Sequence, residues 1–463
     1  MEHYPRFSDT RWGGPWAALG ALIVLAGGLR LVGIEYGLPF PLLNPDEANI
    51  VPRAWRVVHG GGLDPHFFDY PSLLIYLEAP FQWWQGDPSY LMGRIVLLVV
   101  ALGGVAAAWW LGRAAYGNVA GFVAGAFVAV DTTHVVYSRT AVTDVPLTTA
   151  VTVALALLVL GRLEWAGLAI GLAASVKYPG MLLVVPLVVV GRRQWSRLAV
   201  SGALALAAFA LTSPFVLVHA GRAWDDARHV QRLAQAGWLG FEDDSPAPIA
   251  YVERLWDGVG PALIVGVVGL VVALVLRRRA DLALGSFALV WILQLLTTGA
   301  HFDRYTLPLV PVLGALAGRL RSLAPVTLLL LVVPLTWSVR DASRLTRTDT
   351  RVIAHAWIER HIPHGATIAV DPSTPPLNGF RALPLALPGP GRDFDPNRSV
   401  ERLRRRGARY VLVTGAVTDR VLAARAHYPR EAAFYDDLAR RRPLYRLDPG
   451  GNRGGPWVAV YRL

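Results

Sequence analysis

Residues 91–111 read LMGRIVLLVVALGGVAAAWWL, an apolar run of the length an α-helix needs to cross a hydrocarbon core of about 30 Å. Runs of the same character flank it on both sides and bring the total to about eleven candidate spans. Their limits are Pro15 to Val32, Leu91 to Leu111, Val119 to Val130, Val145 to Leu160, Trp165 to Val176 and Gly180 to Val190. Beyond these come Leu198 to Val218, Val259 to Leu276, Leu282 to Thr298, Leu307 to Ala317 and Val326 to Trp337. Composition agrees: 54% of the 463 residues are hydrophobic, 17% are charged and the mean hydropathy is +0.39, well to the apolar side of a soluble domain. The chain reads as a polytopic α-helical membrane protein.

A formal charge of +12 would suit a nucleic-acid binder if the arginines formed a patch. Instead they punctuate the apolar runs. With the N-terminus cytoplasmic, the inside connections hold Arg113, Arg162, Arg192, Arg193, Arg197, Arg277, Arg278, Arg279, Arg319 and Arg321, as the positive-inside rule requires. The charge therefore belongs to topology, and nucleic acid is set aside. The first run follows Arg6 and Arg11 like a signal peptide, but it is long for a signal sequence and lacks a convincing cleavage site, so it is expected to stay as the first span. The absence of cysteine excludes thiolate catalysis, Cys-ligated zinc and disulfides.

Two regions follow. Residues 1–339 form the transmembrane module. Residues 340–463 are Arg-rich and of the size of one small soluble α/β domain, here non-cytoplasmic. Within it Thr350 to Ile362 predicts a helix, and Thr367 to Val370, Tyr410 to Val413 and Trp457 to Tyr461 predict strands. Pro372 to Pro396 reads as a loop, and Asp393-Phe394-Asp395 inside it as a turn.

The polar chemistry gathers in the outside segments. Asn44-Pro45-Asp46-Glu47 follows the first span. It admits a capping reading, with Asn44 as N-cap, Pro45 at the first helical position and Glu47 completing a capping box. It also admits a catalytic one, with Asp46 as general base and Glu47 orienting an acceptor or helping to hold a cation. Arg53 and the aromatics Phe67, Phe68, Tyr70, Tyr76, Phe81, Trp83 and Trp84 suggest interfacial helices. Asp131, His134, Arg139 and Asp144 crowd one turn; Thr143 or Asp144 would cap the next helix, or Asp144 would bind substrate hydroxyls or a divalent metal and Arg139 a phosphate. The candidate metal ligands are Glu47, Asp144 and His134. Lys177, followed by Tyr178, is the one lysine of the chain; its compact ammonium either snorkels or serves a site. In His301-Phe302-Asp303-Arg304-Tyr305, Arg304 would grip a phosphate or pair with Asp303. His219, His229, Glu242, Asp243 and Asp244 show no metal spacing and read as a solvated, mobile loop.

The order Asp46-Glu47, Thr143-Asp144-Val145-Pro146, Lys177-Tyr178-Pro179 and Arg304-Tyr305 followed by Leu307-Pro308 resembles the GT-C superfamily of glycosyltransferases, in particular the family 39-like protein mannosyltransferase and aminoarabinose transferase group. The resemblance implies a GT-C-like membrane module, a polyprenyl-phosphate sugar donor, an outward cleft, inversion at the anomeric carbon and Asp46 as base. It implies a multi-pass enzyme of the cell envelope, in the plasma or inner membrane, acting on a glycan, lipid or protein acceptor. Lys177, Tyr178, Arg304, Tyr305, Arg139, Arg53 and Asp144 would contact substrate, and a divalent ion is an open cofactor. The alternative is a transporter or flippase handling a lipid-linked glycan, which would need polar groups near the bilayer midplane.

Overall fold

The computed structural model describes residues 14–463; Arg6 and Arg11 lie outside the described residues. The chain begins with helices α1 (Gly14–Leu31), α2 (Glu47–Val58), α3 (Leu73–Gln82), α4 (Tyr90–Tyr116), α5 (Asn118–Val130), α6 (Thr132–Tyr137), α7 (Asp144–Val159) and α8 (Leu163–Val176). A 3-10 turn, Tyr178–Leu183, leads into α9 (Val184–Gly191), α10 (Trp195–Thr212), α11 (Pro214–Val218), α12 (Ala220–Ala236), α13 (Ala247–Val259), α14 (Ala262–Leu276) and α15 (Arg279–Leu295). A second 3-10 turn, Asp303–Leu309, precedes α16 (Val310–Arg319), α17 (Ala324–Leu330) and α18 (Val332–Arg344).

All eleven apolar runs are helical, and length separates them. Four helical stretches, Gly14–Leu31, Tyr90–Tyr116, Trp195–Thr212 and Arg321–Arg344, are each long and apolar enough to cross a membrane. Helices α13 and α14, bent by 119° at their junction, make a fifth if they count as one broken span. Other apolar helices run 10–17 residues, among them α5, α7 and α8. Proline accounts for part of the shortening: Pro179 and Pro308 sit in the two 3-10 turns, where the missing N–H would break an α-helical ladder. In the bundle, small residues bring backbones together. A side chain at Gly112 in α4 would meet the Ala120 carbonyl of α5, and one at Gly167 in α8 would meet Ser201 of α10.

Charged side chains mark the two ends of this bundle. At one end Arg319 pairs with Asp281, Tyr116 Oη donates to the same carboxylate at 2.7 Å, and Arg197 pairs with Glu164 at 2.6 Å. Since α4 runs from Tyr90 to Tyr116, the loops carrying Asp46, Asp144, Lys177 and Arg304 lie at the other end. There the chain after α18 packs. It contains β1 (Thr348–Asp349), α19 (Thr350–His361), β2 (Thr367–Val370), β3 (Arg381–Pro384), α20 (Val400–Arg405) and β4 (Tyr410–Thr414). Then follow α21 (Gly415–Ala423), α22 (Pro429–Ala439), β5 (Tyr445–Leu447), β6 (Arg453–Gly454) and β7 (Val458–Arg462).

Five strands form one sheet in the order β3-β2-β4-β7-β5, with β3, β2 and β4 parallel and β7 antiparallel to both its neighbours. Strand β3 corrects the reading of 372–396 as loop: its register runs Thr367↔Arg381 to Val370↔Pro384, and an edge position tolerates the terminal proline. Asp395 is a turn residue as expected, accepting from Ala386 N and Asn397 N, each at 2.9 Å. The sheet is tied to the loops of the bundle by Arg351 Nη2 on the Leu42 carbonyl (2.9 Å) and by Arg392 over the Trp238 ring (4.2 Å).

Candidate functional site

Asp46 stands just ahead of α2. Asn44 Oδ1 accepts from Asp46 N at 2.9 Å, so Asn44 forms an Asx turn rather than the expected capping box, and no side chain caps the helix. The Asp46 carboxylate is thereby left to other partners. Its Oδ2 accepts from Arg304 Nη1 at 3.0 Å and from Tyr70 Oη at 3.2 Å. Arg304 enters from the 3-10 turn after α15, and its Nε also faces Asp144 Oδ2 across 3.9 Å. Asp144 Oδ1 in turn accepts from Lys177 Nζ at 2.6 Å. The result is an alternating row of Asp46, Arg304, Asp144 and Lys177, drawn from four separate segments.

Local structure explains each placement. Asp144 opens α7 but does not cap it, because Thr143 occupies the N-cap in helical conformation without a side-chain bond. Lys177 ends α8 with an extended backbone, φ −156 and ψ 134, which lifts it out of the helical path before Pro179. Its ammonium lies 5.1 Å from the Tyr305 ring centroid and 5.6 Å from that of Tyr70, so two aromatic faces help to hold it. Side-chain exposure is 16% for Asp46, 12% for Arg304, 4% for Asp144 and 11% for Lys177. Burial first, and then the neighbouring Asp46, push the Tyr70 phenol well above its ordinary pKa, so it remains a donor. Asp144 Oδ2 and Arg304 Nε are both buried without a hydrogen-bond partner, an unusual state for charged groups.

An open cleft of about 480 Å³ adjoins this row, lined among others by Thr132, Thr133, Arg254, Asp257, Asp303 and Arg340. Asp303 joins the two: it accepts from Tyr137 Oη at 3.0 Å and from Arg304 N at 2.8 Å. The side-chain pair between Arg304 and Asp303 is not formed. The Arg304 side chain pairs with Asp46 instead.

Several expectations are corrected. Glu47 is not in the row. Both its oxygens lie 2.9 Å from Arg94, both side chains are 0% exposed, and Ala141 N donates to it at 3.1 Å, so it is sealed from an acceptor or a cation. Arg139 is buried and donates to the Leu29 carbonyl at the end of α1, where a cation suits the exposed carbonyls, and so it does not reach the row. His134 Nδ1 lies 2.9 Å from Arg30 Nη2; with Glu47 on Arg94 and Asp144 on Lys177, the three proposed metal ligands have three different partners and form no common site. Arg53 lies a layer out, 4.4 Å over the Phe67 ring. Tyr178 turns away and donates to the Phe68 carbonyl at 3.0 Å, while Tyr305 faces Lys177. The segment read as a mobile loop contains the seventeen-residue helix α12, and its neighbours are paired: Asp244 with Arg254 at 2.9 Å, and His219 with Asp64 at 2.8 Å.

Tyr70 and Tyr137 were missed as site residues because aromatics near a membrane read first as anchors. Arg94 had a signal: a cation inside the run 91–111, where ionisable groups are costly and need a partner.

A search of curated proteins gives no match. Among solved structures, ArnT from Cupriavidus metallidurans bound to undecaprenyl phosphate aligns with TM-score 0.59 at 14% identity, over 97% of this chain and 98% of that one. The apo oligosaccharyltransferase of Archaeoglobus fulgidus gives 0.59 at 13% identity over 92% and 73% of the two chains. AglB from Archaeoglobus fulgidus, in complex with an inhibitory peptide and a dolichol-phosphate, gives 0.58 at 12% over 93% and 72%. At such identities the likeness is one of fold, that of multi-span GT-C membrane enzymes. The model of glycosyltransferase family 87 matches residues 67–299, half of the chain, a stretch that contains Asp144 and Lys177 but neither Asp46 nor Arg304. It specifies family 87 where the motif order resembled the family 39-like group, within the same superfamily. The transporter or flippase alternative gives way. The chain belongs to glycosyltransferase family 87, and it is a multi-pass membrane glycosyltransferase of the GT-C superfamily.

Proposed function

We propose that this enzyme moves a sugar from a polyprenyl-phosphate carrier to an acceptor hydroxyl, with inversion, at the row Asp46, Arg304, Asp144 and Lys177. The observation that carries the reading is the interleaving of two carboxylates with two cations in one largely buried row, with Asp144 Oδ2 and Arg304 Nε left unpartnered. The fold relatives that hold undecaprenyl phosphate and dolichol-phosphate support a donor of that class.

The chemistry follows from charge competition. An incoming phosphate draws on Arg304 and Lys177, the two groups that now neutralise Asp46 and Asp144. As Arg304 turns to the phosphate, the Asp46 oxygen it held becomes free to accept the proton of the acceptor hydroxyl. The acceptor oxygen then bonds to the anomeric carbon while the bond from that carbon to the phosphate oxygen breaks. The electron pair leaves with the phosphate, where the guanidinium and the ammonium stabilise it. Asp144 keeps Lys177 in place. The cleft beyond Asp303 offers carboxylates and hydroxyls to sugar groups, and a carrier that stays in the bilayer keeps its headgroup at this end of the bundle.

In this reading the N-terminus is cytoplasmic, residues 1–339 are the catalytic membrane module, and the site and residues 340–463 face the non-cytoplasmic side of the plasma or inner membrane. The arginine-bearing loops at the opposite end support that orientation. The test is to offer purified enzyme in lipid a panel of radiolabelled α- and β-linked polyprenyl-phosphate sugars and determine the anomeric configuration of the product. Transfer with inversion is expected; retention of configuration, or movement of the lipid with its sugar intact, would overturn the reading.

A further inference from the structure

We propose that Asp64, His66 and His219 form a zinc-binding site that clamps the segment between α2 and α3 to the start of α12. Asp64 Oδ2 lies 2.8 Å from His219 Nε2 and 3.2 Å from His66 Nδ1. One ligand atom from each of the three residues falls within 4.8 Å of the other two. Tetrahedral zinc at about 2.0–2.2 Å from each donor sets the donors about 3.3 Å apart; both spacings from Asp64 Oδ2 lie within a few tenths of an ångström of that, and the two imidazole nitrogens, within 4.8 Å of each other, would close around the ion. Two imidazoles and one carboxylate are a donor set suited to zinc, and side-chain exposures of 57% for His66 and 41% for His219 leave room for a water or another ligand in the fourth position.

The surroundings hold the donors in place. Asp64 Oδ1 accepts from His66 N at 2.9 Å, which leaves Oδ2 turned to both rings. His219 ends α11 and begins α12, with its ring 5.7 Å from that of Phe68 and 6.5 Å from that of Phe215. Arg222 contacts the His66 carbonyl at 3.4 Å and leans toward Asp226 at 3.8 Å, so it does not occupy the donor atoms. The site lies apart from the row around Asp46, yet the clamped segment continues into Phe68, whose carbonyl is held by Tyr178, and Tyr70, which donates to Asp46. Zinc would therefore stiffen one wall of the transfer site without entering its chemistry.

The experiment uses the full chain in lipid nanodiscs, with any affinity tag removed and bound metal stripped by chelator. Zinc chloride alone is titrated by calorimetry, and thermal unfolding is followed with and without it. One saturable equivalent and a rise in Tm are expected for the wild type. D64N and the double variant H66A/H219A should bind zinc about tenfold or more weakly and lose the Tm rise, whereas H59A, altered at an exposed imidazole outside the cluster, should behave as wild type. Because His66 and His219 are substantially exposed, the Tm of the stripped variants should stay near that of the stripped wild type, which shows that they fold. Failure of the wild type to bind zinc saturably, or undiminished binding by the double variant, would overturn the proposal.

Discussion

Glu47 is wholly buried with both oxygens on Arg94, whose remaining reach goes to the Ile34 and Tyr36 carbonyls at 2.8 Å, whereas its neighbour Asp46 is partly exposed and presents one oxygen to Arg304 and Tyr70. Adjacent carboxylates thus have opposite fates. The first is sealed from solvent, and its geometry ties the start of α2 to α4 and to the turn before α7. The second shares its cation with Asp144 across a gap in which two polar atoms lack partners. What separates an architectural ion pair from a reactive one here is the spare hydrogen-bonding capacity of Asp144 and Arg304 together with the partial exposure of Asp46, 16% against 0% for Glu47.

The comparison breaks most visibly if the Glu47–Arg94 pair is cut. Arg94→Ala leaves a buried carboxylate without its partner, and a loss of about 3–5 kcal/mol is expected, read as a large fall in Tm in lipid. Glu47→Gln with Arg94→Met should recover much of that loss, because removing both charges also removes their desolvation cost. If Glu47→Gln lowered turnover while leaving Tm unchanged, Glu47 would belong with Asp46 after all. Lys177→Ala should lower kcat about 10²–10³-fold, the usual cost of a lost donor to a developing anion; rescue by Lys177→Arg should be incomplete, since a longer, planar guanidinium does not put its charge where the compact ammonium sits, 2.6 Å from Asp144 Oδ1. The smallest effect is expected for Tyr70→Phe, which removes one hydrogen bond to Asp46, about 0.5–1.5 kcal/mol of stability, seen as a small fall in Tm with a several-fold change in kcat/KM.

Much of the fold was legible because apolar length and β-alternation are local. Every apolar run became helix, and β2, β4, β7 and α19 lie within a residue or two of their expected limits. The shortness of several helices was less legible, since 3-10 turns at Tyr178–Leu183 and Asp303–Leu309 continue the apolar pattern while breaking the helix. For the site, the residue types could be picked out as Asp46, Asp144, Lys177 and Arg304, but their pairing could not. Asp46 and Arg304 stand 258 residues apart, and only packing decides that Arg304 prefers Asp46 to its chain neighbour Asp303. The same distance problem hid His219 from Asp64, 155 residues away. It also turned Arg139 and His134, which look available in sequence, into buried partners of α1.

The most direct test of the account is sugar transfer from the preferred polyprenyl-phosphate donor by purified enzyme in lipid, comparing wild type with Asp46→Asn at matched Tm. Loss of the general base should lower kcat about 10²–10⁴-fold while the donor still binds, because Arg304 and Lys177 remain. Full turnover by Asp46→Asn would contradict the assignment of Asp46 as the base and, with it, the contrast drawn between Asp46 and Glu47.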